Sequence, residues 1–336
     1  MSKYQLKTYR LILILVMLIE LILGSIFLYK YYQQIKYKKE QEQIKKITFI
    51  DKKTLVFPEI DEFKYYWELQ PNTTIINNPY WLNHEVKYTY NADGLHERFD
   101  YEVEKPADTF RIITLGESFT FGQFVNTEDN WPEQLEDLLN SKPANDQLKF
   151  EVINLGVGGF DIPYVIKRYQ DIGAKYNPDL IIWFESGSGF IRFVEKEQVY
   201  EQNCLEEYEK NNISVNEREM FHPCVLKTDQ YFIDYFSNNY DQLNTELIDK
   251  LNEFLSTLNP EKIMFFSYTK ETISSPELLG PSIEKIHNKH ERVKYLPIIE
   301  EVSKEQTRLP DDHPNKMGHQ LIAQTIYQYL KDNLLN

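Results

Sequence analysis

One short stretch constrains this chain more than any other: Phe110-Arg-Ile-Ile-Thr-Leu-Gly-Glu-Ser-Phe-Thr-Phe-Gly122. Its apolar run, residues 110–115, is too brief for a free-standing helix and has the character of a strand buried on both faces. Gly116 then permits a tight turn and leaves Ser118 at the strand's carboxyl end, where open α/β sheets bind their ligands. A serine placed there acts as a nucleophile only if a base reaches it.

From residue 109 onward, strands and helices alternate. A helix is expected around 131–140, with Pro132 in its first turn, and a strand over 149–154 followed by Gly156-Val-Gly-Gly159. Next come a helix near 163–176 and a continuous apolar strand over 179–184. An amphipathic helix over 240–258, a strand over 261–268 and a closing helix over 319–334 complete the series. Such alternation predicts a doubly wound parallel sheet. Residues 190–236 break the rhythm and read as an insertion.

Ahead of this body the chain is of another kind. Residues 11–29 are apolar but for Glu20, Gly24 and Ser25. At about 1.5 Å per residue they match the roughly 30 Å hydrocarbon core of a bilayer, so a transmembrane anchor is expected. The run exceeds a signal-peptide core of about 7–15 residues, and no small-residue cleavage site follows. Glu20 is tolerated there or serves helix association. Residues 1–10 form the cytoplasmic flank, 30–55 a basic, glutamine-rich stalk, and 56–108 a small β-rich extension with Asn91-Ala-Asp-Gly94 as a turn signal.

Charge follows the same division. Of 37 Lys and Arg and 52 Asp and Glu, eleven and four lie in residues 1–55, leaving 26 basic against 48 acidic beyond them. A body that acidic repels phosphate backbones and argues against a nucleic-acid partner. Positive charge flanks both ends of the apolar run, and the count taken literally puts the body in the cytoplasm. The two cysteines, Cys204 and Cys224, point the other way: an isolated pair around a short loop suits a disulfide in an oxidising compartment. The alternative is two unrelated reduced thiols. The extracytoplasmic placement is the preferred expectation.

The candidate base lies in Leu309-Pro-Asp-Asp-His-Pro-Asn-Lys-Met-Gly-His319, just before the last helix. His313 sits in a Pro-rich loop, and residues two apart in extended chain face the same side, which favours Asp311 as its partner. The bland alternative is that His313 and His319 cap or solvate the helix start. His84, His96, His222, His287 and His290 read as surface residues. No metal-ligand cluster is evident, and Gly156-Val-Gly-Gly159 lacks the third glycine and acidic ribose partner of a dinucleotide loop, so no cofactor is expected.

In these blocks the chain resembles the SGNH/GDSL hydrolases, over roughly residues 109–189 and 305–334. Leu115-Gly-Glu-Ser-Phe-Thr-Phe-Gly122 is similar to the block that carries the nucleophile, here Ser118. Asn154-Leu-Gly-Val-Gly-Gly159 is similar to the second, whose last glycine, Gly159, lends an amide to the oxyanion hole. Asp311-Asp-His-Pro-Asn315 is similar to the closing block, with His313 as base. Glu117 stands where Asp is usual, Pro310 where the block's Asp normally lies, and Ser188 where an Asn completes the oxyanion hole.

The resemblance implies a three-layer α/β/α flavodoxin-like fold and a catalytic set of Ser118, Asp311 and His313. Ser118, Gly159 and Ser188 would hold the oxyanion. Together with the anchor expected at 11–29, it implies a membrane-anchored serine esterase that hydrolyses or transfers an O-acyl group, acetyl for preference, with acylated cell-surface polysaccharide as a substrate by analogy. An α/β-hydrolase elbow is disfavoured, since Thr120-Phe121 stands where glycine is needed. The alternative of another class is a catalytically reduced binding or assembly protein of the cell envelope, with the insertion as a partner surface.

Overall fold

The computed structural model describes residues 24, 25, 29, 31, 55, 56, 58, 62–79, 81–141, 148–185, 193–211, 213, 222–258, 262–268, 293–298 and 305–333. Met1–Thr48 and Phe49–Asn336 are separate compact units. In the first, Gly24, Ser25, Tyr29 and Tyr31 are helical. No helix among the described residues is long and apolar enough to cross a membrane. The rest of the expected anchor at 11–29 lies outside them, as does Ser188.

The second unit is built on five parallel strands: β5 (Thr109–Gly116), β6 (Lys149–Asn154), β7 (Leu180–Glu185), β8 (Lys262–Tyr268) and β9 (Val293–Ile298). Their order is β6-β5-β7-β8-β9. That is the flavodoxin-like arrangement, and it puts the topological switch point at the carboxyl end of β5. Strand β9 is absent from the sequence expectation. Its alternating Val293-Lys-Tyr-Leu-Pro-Ile298 includes a proline, which a sheet accepts at its edge.

Because side chains alternate along a strand, both faces of the sheet are greasy. Ile112, Val152, Leu180, Ile182 and Phe184 pack against α2 (Trp131–Ser141) and α7 (Lys316–Asn333). Ile113, Leu115, Ile153, Ile181 and Trp183 face α3 (Ile162–Arg168) and α6 (Tyr240–Thr257). Leu243, Leu247, Leu251 and Phe254 on α6 are buried at helical spacing. Each such side chain contributes on the order of 1.5–3 kcal/mol of transfer free energy. The helix expected over 163–176 is α3 continued by a π turn over Tyr169–Gly173 and a 3-10 turn over Ala174–Tyr176.

Much of the stretch read as an insertion is helical: α4 (Val194–Lys210) and α5 (Pro223–Asn238) pack together. Cys204 and Cys224 join them as a disulfide with Cα atoms 5.7 Å apart. His222, read from sequence as a surface residue, is buried; its ring accepts the Val225 amide at the start of α5, and Nε2 lies 3.0 Å from Glu201. The Asp161 carboxylate caps α3 through the Tyr164 amide and also accepts the Val194 amide, so it ties α3 to α4.

Four short strands precede the sheet: β1 (Leu55–Val56) with β2 (Glu68–Leu69), and β3 (Thr73–Asn77) with β4 (Val86–Tyr90), both pairs antiparallel. At Asn91-Ala-Asp-Gly94 the Asn91 carboxamide accepts the amides of Asp93 and Leu95 and closes the turn. Buried polar groups hold this extension to the sheet. Arg111 of β5, fully buried, pairs with Glu151 of β6 at 2.7 Å and donates to the carbonyls of Glu102, Val103 and Tyr176. Glu97 accepts the Asn154 amide, and Glu136 of α2 accepts the Val152 amide at 2.7 Å and the Tyr101 hydroxyl at 2.9 Å.

Burial pushes the Glu136 carboxyl up to about 7, with the neighbouring Glu133 adding to it against the Val152 and Tyr101 hydrogen bonds. The folded form therefore binds the proton more tightly than the unfolded chain. The stability this gives is fully present below the unfolded value of 4.5 and is lost as pH rises through about 7. Glu136→Gln keeps the carbonyl acceptor but cannot ionise. Its urea-unfolding free energy is expected to gain on wild type by about 1.4 kcal/mol per pH unit between pH 5 and 7.

Candidate active site

The chain leaves β5 through Gly116, whose φ of 148° no side chain adopts comfortably. A Cβ there would also overlap the Thr120 hydroxyl and the Phe184 carbonyl. Glu117 follows, and Ser118 opens a single helical turn, α1 (Ser118–Phe121), closed by Gly122 in the left-handed region. The Glu117 carbonyl accepts the amides of Thr120 and Phe121, and the Thr120 hydroxyl returns to the Leu115 carbonyl at 3.2 Å. Ser118 is thereby fixed at the switch point, 9% exposed. Its N–H, at the first position of a helical turn, has no intrahelical partner.

Gly156 passes directly beneath α1. A Cβ at this position would overlap the backbone of Thr120 and Phe121. The close pass brings Gly158 alongside the serine, with Gly159 next in the chain: a Cβ built on Gly158 would stand 3.7 Å from that of Ser118. Among the described residues, neither the Ser118 nor the Gly159 amide has a hydrogen-bond acceptor.

The loop before α7 delivers His313. The Asn315 carboxamide accepts the Gly318 amide at the head of α7 and donates to the carbonyls of Gln306 and Arg308. The Leu309 amide donates to the His313 carbonyl at 2.8 Å. Within this frame His313 Nδ1 lies 2.8 Å from Asp311 Oδ2, and Nε2 lies 2.9 Å from Ser118 Oγ. The Asp311 side chain is 3% exposed and that of His313 17%. With Nδ1–H donated to the carboxylate, a neutral His313 presents its Nε2 lone pair to the serine.

Sequence reasoning missed several neighbours. Ser118 Oγ also lies 2.9 Å from Glu117 Oε2. The His313 ring is flanked by Phe119, with centroids 5.0 Å apart, and meets Phe124 edge-on at 5.6 Å. Phe124 has a φ of 65°, a conformation rare for a bulky residue. It is held there by its amide, which donates to the buried Tyr88 hydroxyl of β4 at 2.8 Å. Nothing in the local spacing of these aromatics announces the arrangement.

Two further histidines lie behind the site. His96, expected at the surface, is 1% exposed and donates from Nδ1 to the Phe121 carbonyl at 2.7 Å. His319, expected at the rim of a helix start, is fully buried and accepts the Trp131 amide at 3.2 Å. Burial pushes His96 down to about 4. Burial, then the neighbouring His313 and His96, push His319 down to about 3. Both rings are neutral at ordinary pH. His84 is exposed as expected, and His287 and His290 lie outside the described residues.

No family model matches the sequence, and no curated protein matches it. Solved structures similar in fold include TesA, at 12% identity and a TM-score of 0.43, covering 66% of this chain and 98% of that one. Another is the psychrotrophic esterase EstA from Pseudoalteromonas sp., at 16% identity and 0.40, covering 67% and 99%. A third is a two-domain esterase active on acetylated mannans, at 17% identity and 0.40, covering 67% of this chain and 49% of that one.

The crossing of Gly156 under α1 makes a sharp prediction. Gly156→Ala forces that turn away from its seat and is expected to lower the unfolding free energy by about 1–3 kcal/mol, as overpacking does. Urea denaturation measures the loss, and the distance from Ser118 to His313 changes with it.

Proposed function

We propose that the chain is a serine ester hydrolase in which Ser118 is acylated, His313 is the base and Asp311 orients the imidazole. One observation carries this reading: the Ser118 hydroxyl, the His313 ring and the Asp311 carboxylate form a continuous line of contacts at 2.9 and 2.8 Å at the switch point of the sheet. As Oγ attacks an ester carbonyl, its proton passes to His313 Nε2, and Asp311 stabilises the imidazolium that forms. The imidazolium then protonates the departing alkoxide. Water, deprotonated by the same ring, releases the acid from the acyl-serine.

In this reading the amides of Ser118 and Gly159 donate to the carbonyl oxygen as it becomes negative. Each such donor is worth roughly 100–1,000-fold in rate. In our reading Ser188 supplies a third. The acyl group is small, acetyl for preference, and is released to water or passed to a sugar hydroxyl of cell-surface polysaccharide. The hydrophobic run at 11–29 anchors the protein to a membrane, and the Cys204–Cys224 disulfide favours a body on the oxidising side.

Alkyl fluorophosphonate labelling of the detergent-solubilised full chain tests the chemistry. Ser118→Ala is expected to abolish labelling and the hydrolysis of 4-nitrophenyl acetate. His313→Ala and Asp311→Asn are expected to slow both by roughly 100–10,000-fold. Absence of Ser118-dependent labelling in the wild type would sink the enzyme and leave a binding protein on the same frame. For placement, protein from its native host is expected in the membrane fraction, with Cys204 and Cys224 gaining mass from maleimide only after reduction. Free thiols before reduction would count against the oxidising side.

A further inference from the structure

Ser118 has one hydroxyl hydrogen and two acceptors for it. Glu117 Oε2 and His313 Nε2 each stand 2.9 Å from Oγ. The Asp311 contact commits the Nδ1 hydrogen of a neutral His313, so its Nε2 can only accept. An ionised Glu117 likewise has only lone pairs to offer. The two acceptors therefore compete, and a hydroxyl turned to the carboxylate is turned away from the imidazole.

Glu117 is 2% exposed and Ser118 9%, so bulk water screens this contact poorly. The backbone of Glu117 is held by the two amides its carbonyl accepts, which keeps the root of the side chain beside the serine. A carboxylate in hydrogen-bond contact with a nucleophile's oxygen meets the geometric requirement for a general base.

We propose that Glu117 is a second proton acceptor for Ser118, competing with His313 in the resting site and serving as base when the imidazole is removed. The inference rests on the reading of Ser118 as nucleophile. In the reaction with an alkyl fluorophosphonate, the Oγ–P bond forms and the P–F bond breaks with loss of fluoride. The Oγ proton passes to His313 Nε2 in the wild type and to Glu117 Oε2 when His313 is absent.

The test is a cycle of labelling rates on the full chain: wild type, Glu117→Gln, His313→Ala and the double variant, with thermal melts to establish folding. With His313 present, Glu117→Gln replaces the charged rival with a weaker neutral acceptor that cannot take the proton, and labelling is expected to quicken up to about twofold, since the shared hydrogen shifts toward the imidazole. With His313 absent, the same substitution is expected to slow labelling by at least about tenfold. This change of sign is the signature.

Equal rates for His313→Ala and the double variant would overturn the proposal, as would a loss of equal size in both backgrounds. If the amide variant does not fold, Glu117→Asp replaces it. The withdrawn carboxylate is expected to slow the His313→Ala protein, and an unchanged rate overturns the proposal. A wild type that does not label at all removes the nucleophile reading and this inference together. A wild type that labels only through Ser118, with no Glu117 effect after loss of His313, removes this inference alone.

Discussion

Strand β5 is hydrogen-bonded on both sides, to β6 and to β7, so the chain leaving it has no free edge along which to escape. It must turn at once, in the space between the Phe184 carbonyl and the next loop of the sheet. Two positions without side chains, Gly116 and Gly156, make that passage physically possible. The turn at Gly116 points Ser118 out of the sheet, and the pass of Gly156 under α1 brings Gly158 beside the serine. The proposed oxyanion donors and nucleophile are thus fixed by how closely backbone approaches backbone. His313 needs only a loop long enough to reach over them.

The sheet and much of the site were legible in the chain because their signals are local and periodic. Alternation along 110–115 and 179–184 with both faces apolar has one reading, a central parallel strand. Leucines at helical spacing in α6 behave the same way. Asp311 was legible from a two-residue spacing alone, although the loop that holds it contains Asp312 at a φ of 68°. Helices α4 and α5 escaped notice because many of their positions are charged or exposed and much of their ordering is tertiary: the disulfide, stacked aromatics such as Tyr200 on Tyr231, and the Asp161 bridge. The burial of His96 and His319 has no sequence signature, since a lone histidine says nothing of what covers it. The contact between Glu117 and Ser118 is invisible for a related reason. Adjacent residues ordinarily point apart, and only the sharp turn after β5 brings these two side chains together.

The small extension is as much a part of the core as the helices are. Arg111 spends its donors on Glu151 and on the carbonyls of residues 102, 103 and 176, so one buried guanidinium joins sheet, extension and the end of the α3 segment. Such a pair adds little net stability over an apolar equivalent, yet losing one partner leaves a buried charge unanswered. The extension also reaches the surroundings of Ser118 and His313. Tyr88 holds Phe124 in its unusual conformation, Phe124 meets the His313 ring, and His96 holds the Phe121 carbonyl of the turn that starts at Ser118. The residues ahead of β5 therefore brace the wall, Phe124, against which the imidazole is set.

The serine and its histidine are 195 residues apart in the chain. A polypeptide made or threaded in order presents Ser118, its strand and the neighbouring glycines long before His313 arrives. Until the last loop docks, no imidazole is within reach of the hydroxyl, and it has ordinary alcohol reactivity. Whatever reactivity the imidazole lends Ser118 thus arrives with completion of the fold rather than with synthesis of the serine.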